Sequence, residues 1–162
     1  MIENGSDEMV LRKADVKDID ELLKIRLAYL NEDFELTKEQ IDKLKEQLPS
    51  YYKEHLEKDM FAYIAEENGV VVSSVFLIII ERPANPVFIT GKIGNILNVY
   101  TEPEYRRQGI AAKLLSLAME EGKTLDLSFL ELVATQKGYP LYKKLGFEDA
   151  IAHNKPMKFI YQ

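Results

Sequence analysis

An Asn-Gly pair between two long apolar stretches is the feature that most constrains how this chain can fold. Asn68 and Gly69 separate residues 60–66, "MFAYIAE", from residues 70–80, "VVVSSVFLIII". The pair is preferred in two-residue hairpin turns because both central residues of such a turn need a positive φ angle. Both stretches are therefore predicted to be strands that lie antiparallel to each other in one sheet.

The spacing of apolar residues predicts further elements on both sides of this hairpin. A short strand at residues 9–14 and two amphipathic helices come before it. The second helix starts with the capping-box sequence "TKEQ" at residues 37–40, and Pro49 is expected to break or kink it. After the hairpin the predicted elements are a strand at 92–101, a helix that runs to about Gly122, a strand at 127–134, a short helix at 139–147 and a last strand at 156–162. The order β-α-α-β-β-β-α-β-α-β indicates an α/β protein of the α+β type, with a mixed sheet and helices on its faces.

The length of 162 residues fits one domain with a core of its own. We expect residues 1–8 to be a flexible N-terminal segment and residues 9–162 to form that single domain. The N-terminus contains no basic region followed by an apolar run, so a signal peptide is not expected. The apolar stretch at 70–80 is too short to cross a bilayer as a helix. The expected location is the cytoplasm.

Charge and composition exclude several classes of function. The net charge of −6 is opposite in sign to that of a general nucleic-acid or anionic-membrane binder. The absence of cysteine excludes disulfides, thiolate zinc sites and cysteine nucleophiles. Because the only histidines are His55 and His153, no metal site is expected.

The helix after the 92–101 strand begins with an unusual distribution of charge. Residues 106–113 contain two arginines and a lysine but no acid, although helix N-termini usually gather acidic residues. Gly109 would let the backbone approach a ligand, and free N–H groups beside Arg106 and Arg107 would then bind an anion such as phosphate. Alternatively, the capping-box sequence at residues 101–104 starts the helix, and Gly109 lies inside it at a cost of about 1 kcal/mol relative to alanine. These residues alone leave both alternatives open.

Two motifs resemble signatures of a known family. "RRQGIA" at residues 106–111 resembles the Arg/Gln-x-x-Gly-x-Gly/Ala signature of the GNAT superfamily of acyl-CoA-dependent N-acyltransferases. "PLYKKLGFED" at residues 140–149 resembles the second signature of this family, in which a tyrosine precedes Gly-Phe. The order of predicted elements is also that of the family, so the resemblance covers nearly the whole chain. It implies the GNAT fold, acetyl-CoA as the acyl donor and a primary amine as the acceptor.

The resemblance also implies a role for individual residues. Backbone N–H groups of the glycine turn and its arginines would hold the pyrophosphate of coenzyme A, and the edge of the preceding strand would pair with the pantetheine arm. Thr135 would offer a hydroxyl where the family often has asparagine. The residues expected to bind the coenzyme are Leu97, Val99, Thr101, Arg106, Arg107, Gln108, Gly109, Ile110, Ala111, Thr135 and Tyr142.

Two groups are expected to act on the thioester. A backbone N–H near Asn98 or Val99 would polarise its carbonyl. Tyr142 matches the family tyrosine that lies near the coenzyme sulfur and protonates the departing thiolate. The alternative for Tyr142 is a packing role, which buried tyrosines commonly have.

One departure from the family concerns the general base. Some members carry a glutamate on the strand before the turn, where this chain has Asn95 and Asn98, neither of which accepts a proton. The amine would then lose its proton to water or to another carboxylate, and would attack the thioester directly because no cysteine can carry the acetyl group. The missing carboxylate also keeps open an alternative function, that of a catalytically inactive acyl-CoA-binding sensor or regulator.

The expected partner is an amine acceptor, with no nucleic acid and no membrane, and the protein is expected to be a monomer or a homodimer. In the family, the connection between the first two helices borders the acceptor pocket. Here that connection carries Glu32, Asp33 and Glu35, which predict recognition of a cationic amine, with an ordinary solvated turn as the alternative. The aromatic residues close to it in the sequence are Tyr29, Phe34, Tyr51 and Tyr52.

Overall fold

The structure, a computed structural model, describes residues 8–161, so the predicted flexible segment lies outside the described residues except for Glu8. The strands are β1 (Val10–Lys13), β2 (Met60–Glu67), β3 (Val70–Glu81), β4 (Lys92–Thr101) and β5 (Leu130–Glu131). The helices are α1 (Ile19–Phe34), α2 (Lys38–His55), α3 (Ile110–Thr124) and α4 (Tyr139–Lys144). The chain divides into two compact units, one that ends at Leu132 and one that begins at Val133. No helix in the described part of the chain is long and apolar enough to cross a membrane.

The first unit contains one five-stranded sheet in the order β1-β2-β3-β4-β5. Its first four strands are antiparallel neighbours, and β5 pairs with β4 in parallel. The hairpin between β2 and β3 forms as predicted, with φ angles of 52° at Asn68 and 78° at Gly69. The local chemistry of the turn therefore fixes the register of β2 against β3.

Strand β4 contains a bulge that interrupts its pairing with β3. Ser74 lies opposite Tyr100 while Phe76 lies opposite Leu97, so β4 has one residue more than β3 over this interval. Asn98, inside the interval, has a φ angle of 51°, a conformation that asparagine tolerates better than most residues. A bulge bends its strand and leaves the extra residue without a ladder partner. The ladder between β3 and β4 is therefore locally open next to Asn98.

Helices α1 and α2 pack against the sheet through buried side chains. The capping box predicted for α2 is present, because Gln40 N–H donates to Thr37 Oγ1 over 3.2 Å and Thr37 N–H donates to Gln40 Oε1 over 2.9 Å. Helix α2 continues through Pro49 to His55, so the break that was one of the two predicted effects of this proline does not occur. Proline removes one helical hydrogen bond, and burial of the neighbouring Leu48 and Tyr52 offsets that loss.

An ion-pair network joins β1, β2 and the turn before α1. The Arg12 guanidinium donates to both carboxylate oxygens of Asp18 over 2.8 and 2.7 Å and to Glu66 Oε2 over 2.6 Å. Asp18 also accepts a hydrogen bond from the backbone N–H of Asp15 over 2.9 Å. The hydrogen bonds from Arg12 lower the pKa of Asp18 below its ordinary value of 3.8. The network therefore stabilises the fold as long as Asp18 is ionised.

Two predicted strands differ in the structure. The strand expected at 127–134 is reduced to β5, which pairs only with Gly94 and Asn95 because the bulge at Asn98 turns β4 away soon afterwards. The strand expected at 156–162 does not form over its described residues, 156–161. A strand needs a neighbour for its N–H and C=O groups, and the described part of the second unit contains no other strand.

Candidate active site

The start of α3 decides between the two alternatives for the glycine turn. Residues 103–105 form one short 3₁₀ turn, and α3 begins only at Ile110, directly after Gly109. Gly109 has a φ angle of 74°, a conformation that suits glycine, and no atom lies within 4 Å of the position a Cβ would take. The glycine is therefore the residue that turns the chain into the helix, and the alternative with Gly109 inside a helix from Thr101 is wrong.

The backbone N–H groups of residues 107–112 donate to no acceptor within residues 8–161. The φ angle is positive at Arg107 and at Gly109 and not at Gln108 between them, an alternation found in the nests that bind anions. The set of open donors includes the predicted coenzyme-binding residues Gln108, Gly109, Ile110 and Ala111. Together with the positive end of the α3 dipole, they form a surface suited to an anion.

The two arginines of the turn have different surroundings. Arg106 donates from Nη2 to Glu32 Oε2 over 2.7 Å and from Nε to the carbonyl oxygen of Thr101 over 2.8 Å. Its guanidinium also lies over the Tyr100 ring, 5.5 Å from the centroid, and the bond to Glu32 raises its pKa. Arg107 is exposed and makes no ion pair with the described residues. Of the two, Arg107 is the one whose charge is available to a ligand.

Asn98 is held in the bulge by its own side chain. It is 2% exposed, its Nδ2 donates to Ser74 Oγ over 2.9 Å, and its Oδ1 accepts from Arg26 Nη1 over 3.2 Å. The Ser74 hydroxyl in turn donates to the carbonyl oxygen of Asn98 over 3.0 Å. Because the side chain is occupied by these bonds, any chemistry of Asn98 belongs to its backbone.

A cavity of about 190 Å³ opens beside the bulge in the first unit. The apolar side chains that line it come from α2 and from three strands, and they are Leu48, Met60, Phe76, Ile78 and Leu97. Its polar lining consists of Arg26 from α1 and Gln47, Tyr51 and Tyr52 from α2. Because Leu97 directly precedes Asn98 on β4, the cavity reaches the strand at the residue next to the bulge.

The acidic residues predicted to connect α1 and α2 do not line this cavity, and two of them, Glu32 and Asp33, belong to the last turn of α1. Glu32 is paired with Arg106. Burial raises the pKa of the Tyr29 phenol, and the negative charge of Asp33 adds to this effect. Glu35 is exposed and ends α1 with a φ angle of 47°. The predicted recognition of a cationic amine by these acids therefore gains no support from the lining of the cavity.

The second unit holds the other two predicted site residues. The hydroxyl of Thr135 accepts from Gly138 N–H over 3.1 Å, so it helps to start α4. Tyr142 is 9% exposed, and its ring packs edge-on against Phe147 with centroids 5.9 Å apart. A Cβ at Gly138 would lie 3.0 Å from Tyr142 Cε2, so glycine allows the ring to pass close to the backbone.

Arg26 and Gln47 are cavity residues that the sequence reasoning missed. Arg26 follows the buried Leu22 by four residues, so it lies on the same side of α1 as part of the apolar face. A charged residue at a position of the apolar face is unusual, and this feature of the sequence could have indicated that Arg26 has a role in a site. No comparable signal marks Gln47.

The protein is thus an α/β protein whose candidate site lies on one strand–turn–helix. This segment consists of the bulged strand β4, the turn at Gly109 and the open N-terminus of α3. The family model described as "Acetyltransferase (GNAT) family" matches residues 23–147 of the chain. The protein therefore belongs to the GNAT family and is an acyltransferase, as the two sequence motifs predicted.

Related proteins agree with this assignment. The chain is 35% identical to a "predicted acetyltransferase" of Clostridium acetobutylicum whose crystal structure was solved with acetyl-CoA; the match covers 93% of this chain and 96% of that one, with a TM-score of 0.81. It is 26% identical to a GCN5-related N-acetyltransferase of Ralstonia eutropha, over 93% and 99% of the two chains, with a TM-score of 0.78. It is also 27% identical to an uncharacterized N-acetyltransferase of Archaeoglobus fulgidus, over 81% and 85% of the two chains.

Proposed function

We propose that the protein transfers the acetyl group of acetyl-CoA to a primary amine, by direct attack of the amine while both substrates are bound. The observation that carries this proposal is the presence, on one continuous strand–turn–helix, of open N–H donors at Gly109 and a bulge at Asn98 with a cavity beside it. The presence of acetyl-CoA in the structure of the Clostridium relative supports the choice of donor.

The turn residues suit the pyrophosphate of coenzyme A. The free N–H groups of residues 107–112 and the exposed Arg107 supply donors and charge, and no acid lies between residues 106 and 113 to compete. In this proposal Arg106 holds the turn against Glu32 and Thr101, while Leu97, Val99 and Thr101 offer the strand edge to the pantetheine arm. Thr135 is proposed to offer its hydroxyl to the coenzyme.

The bulge supplies the electrostatic part of the proposed mechanism. Bound acetyl-CoA would supply an activated thioester carbonyl. A backbone N–H at Asn98 or Val99 would donate to the carbonyl oxygen as negative charge develops on it, and one such donor contributes about 10²–10³-fold to a rate. Because Asn98 is fixed through Ser74 and Arg26, this donor would be positioned before the substrate arrives.

Proton transfer is assigned to two places. No carboxylate lines the cavity among the described residues, so the amine is proposed to enter neutral or to release its proton to water. Tyr142 is proposed to protonate the departing thiolate. A cytoplasmic location and a monomeric or homodimeric state remain predictions.

Thiol release tests this function directly. The chain has no cysteine, so every thiol detected in a reaction with acetyl-CoA is product. We expect thiol release that depends on added amine and equals the amount of acetylated amine measured by mass spectrometry. Binding of acetyl-CoA without release, across a broad panel of primary amines, would instead support the sensor alternative. Failure to bind acetyl-CoA in calorimetry would overturn the proposal altogether.

A further inference from the structure

The cavity beside the bulge carries a positive charge that no carboxylate neutralises. Arg26 is half-buried, and its guanidinium forms no ion pair with any acid in residues 8–161. One of its five N–H groups donates to Asn98 Oδ1, and its Cζ atom lies 5.7 Å from the centroid of the Tyr29 ring. A half-buried guanidinium with open donors is suited to pair with a carboxylate.

We propose that the acceptor is a small amine that also carries a carboxylate, and that Arg26 binds this carboxylate. This inference rests on the proposed function, because it names the acceptor class of the same site. It makes Arg26 a residue that determines specificity. The apolar walls, including Met60, Phe76 and Ile78, favour an acceptor with an apolar side chain.

The distance between Arg26 and the bulge limits how far apart the two groups of the acceptor lie. Arg26 Nη1 is 3.2 Å from a side-chain atom of Asn98, the residue proposed to donate to the thioester carbonyl. A carboxylate bound to Arg26 would hold an amine next to that carbonyl only if the two groups were separated by a very short chain. An α-amino acid meets this condition, whereas an amine with a remote carboxylate does not.

The proposal reverses the charge preference predicted from the sequence. Glu32 is paired with Arg106, and neither Glu32 nor Asp33 lines the cavity. A cationic acceptor such as a polyamine would bring its second charge towards Arg26 and be repelled. The geometry thus favours an amine with a negative partner group over one with a further positive group.

The test compares amines that differ only in the carboxyl group. L-Leucine, L-leucinamide and 3-methylbutylamine share one side chain, and spermidine represents the cationic class. Thiol release is measured with each, and kcat/KM is expressed per deprotonated amine. We expect leucine to exceed leucinamide and 3-methylbutylamine at least tenfold, with spermidine lowest. Equal values for leucine and its amide, or a preference for spermidine, would overturn the proposal.

Variants of Arg26 separate recognition from a structural effect through Asn98. In Arg26→Gln the ratio of kcat/KM for leucine over leucinamide is expected to fall to near one, and Arg26→Lys should restore part of it. The matched control is Lys24→Gln on the exposed face of the same helix, where the ratio should keep its wild-type value. If Arg26→Gln lowers kcat/KM for leucine and for leucinamide by the same factor, Arg26 acts on the fold and does not bind the carboxylate.

A binding experiment covers the case in which none of these amines reacts. N-Acetyl-L-leucine and N-acetyl-L-leucinamide are compared as ligands of the coenzyme A-loaded protein by their effect on its thermal midpoint. We expect the acid to stabilise the wild type more than the amide, and Arg26→Gln to abolish the difference. Equal stabilisation, or none from either compound, would count against the carboxylate site. Acetyl-CoA binding, measured separately, reports on the proposed function itself.

Discussion

Arg106 and Arg107 are neighbours in the sequence, but only one of them has a charge that is free to bind a ligand. Arg106 uses two of its five N–H donors to bond to Glu32 and Thr101, and these bonds join the end of α1 to the end of β4. Arg107 has a positive φ angle and an exposed side chain beside the open N–H groups. The predicted phosphate ligands Arg106 and Arg107 therefore differ in their surroundings, and the coenzyme contact of each stays a prediction.

Arg107→Gln is predicted to raise the KM for acetyl-CoA about tenfold with a small change in kcat, because one charge-assisted hydrogen bond contributes about 1.5–3 kcal/mol. The KM of the wild type should also rise with salt, and more steeply than that of the variant. Steady-state kinetics at two salt concentrations measures both effects. Lys123→Gln, near the exposed end of α3, is the control with an unaltered KM. An unaltered KM in Arg107→Gln itself would show that this residue does not contact the coenzyme.

Tyr142→Phe is predicted to lower kcat while the affinity for acetyl-CoA stays nearly the same, because the phenol acts on the leaving thiolate and not on the bound ground state. The measurement is kcat from thiol release together with the dissociation constant from calorimetry. Tyr139→Phe, on the same helix with an exposed hydroxyl bonded to Asp149, is the comparison. Wild-type turnover in Tyr142→Phe would leave Tyr142 the packing role that its contact with Phe147 already gives it.

Among the elements, β4 has the greatest effect on the site, because it changes partners along its length. At Gly94 and Asn95, β4 pairs with β3 on one side and with β5 on the other. Beyond Asn95 it pairs only with β3. The bulge at Asn98 follows, and the strand then leads through Thr101 to the turn and α3. One strand therefore provides the bulge, the edge and the approach to the helix N-terminus.

The element at the other edge of the sheet gives a prediction of pH dependence. Because the folded pKa of Asp18 lies below its unfolded value of about 3.9, its ion pair with Arg12 stabilises the fold above that pH and is lost as the pH falls towards the folded pKa. Asp18→Asn should lower the free energy of unfolding by about 1.5–3 kcal/mol at neutral pH, and the difference from the wild type should shrink in acid below about pH 4. Urea unfolding at both pH values measures this. The control is Glu46→Gln on the exposed face of α2, which should change the free energy of unfolding little. If the difference between Asp18→Asn and the wild type does not depend on pH, the ion pair with Arg12 does not stabilise the fold in this way.

At the scale of the whole molecule, the sequence predicted what local chemistry decides. The hairpin at Asn68-Gly69, the capping box at Thr37 and the extent of β4 follow from neighbouring residues, and the structure confirms them. The two GNAT motifs predicted the family, which the family model confirms. The assigned roles of the motif residues, Tyr142 included, stay predictions.

The features that depend on distant contacts could not be predicted in this way. Arg26 and Asn98 are 72 positions apart in the sequence, so no local pattern brings them together. The last strand was predicted at 156–162 from local composition, which measures a preference for extended backbone but not the presence of a neighbour to pair with. The acceptor class depends on the shape and charge of the cavity, and these appear only once α1, α2 and the sheet are assembled.

The bond between Arg26 and Asn98 has a consequence for anyone who wishes to redesign this enzyme. Replacing Arg26 to admit a different acceptor would also remove one of the two side-chain anchors of the bulge, so selectivity and rate would change together. Ser74 would remain as the other anchor. A successful redesign would therefore alter at least two positions at once, one to reshape the cavity and one to restore a donor to Asn98 Oδ1.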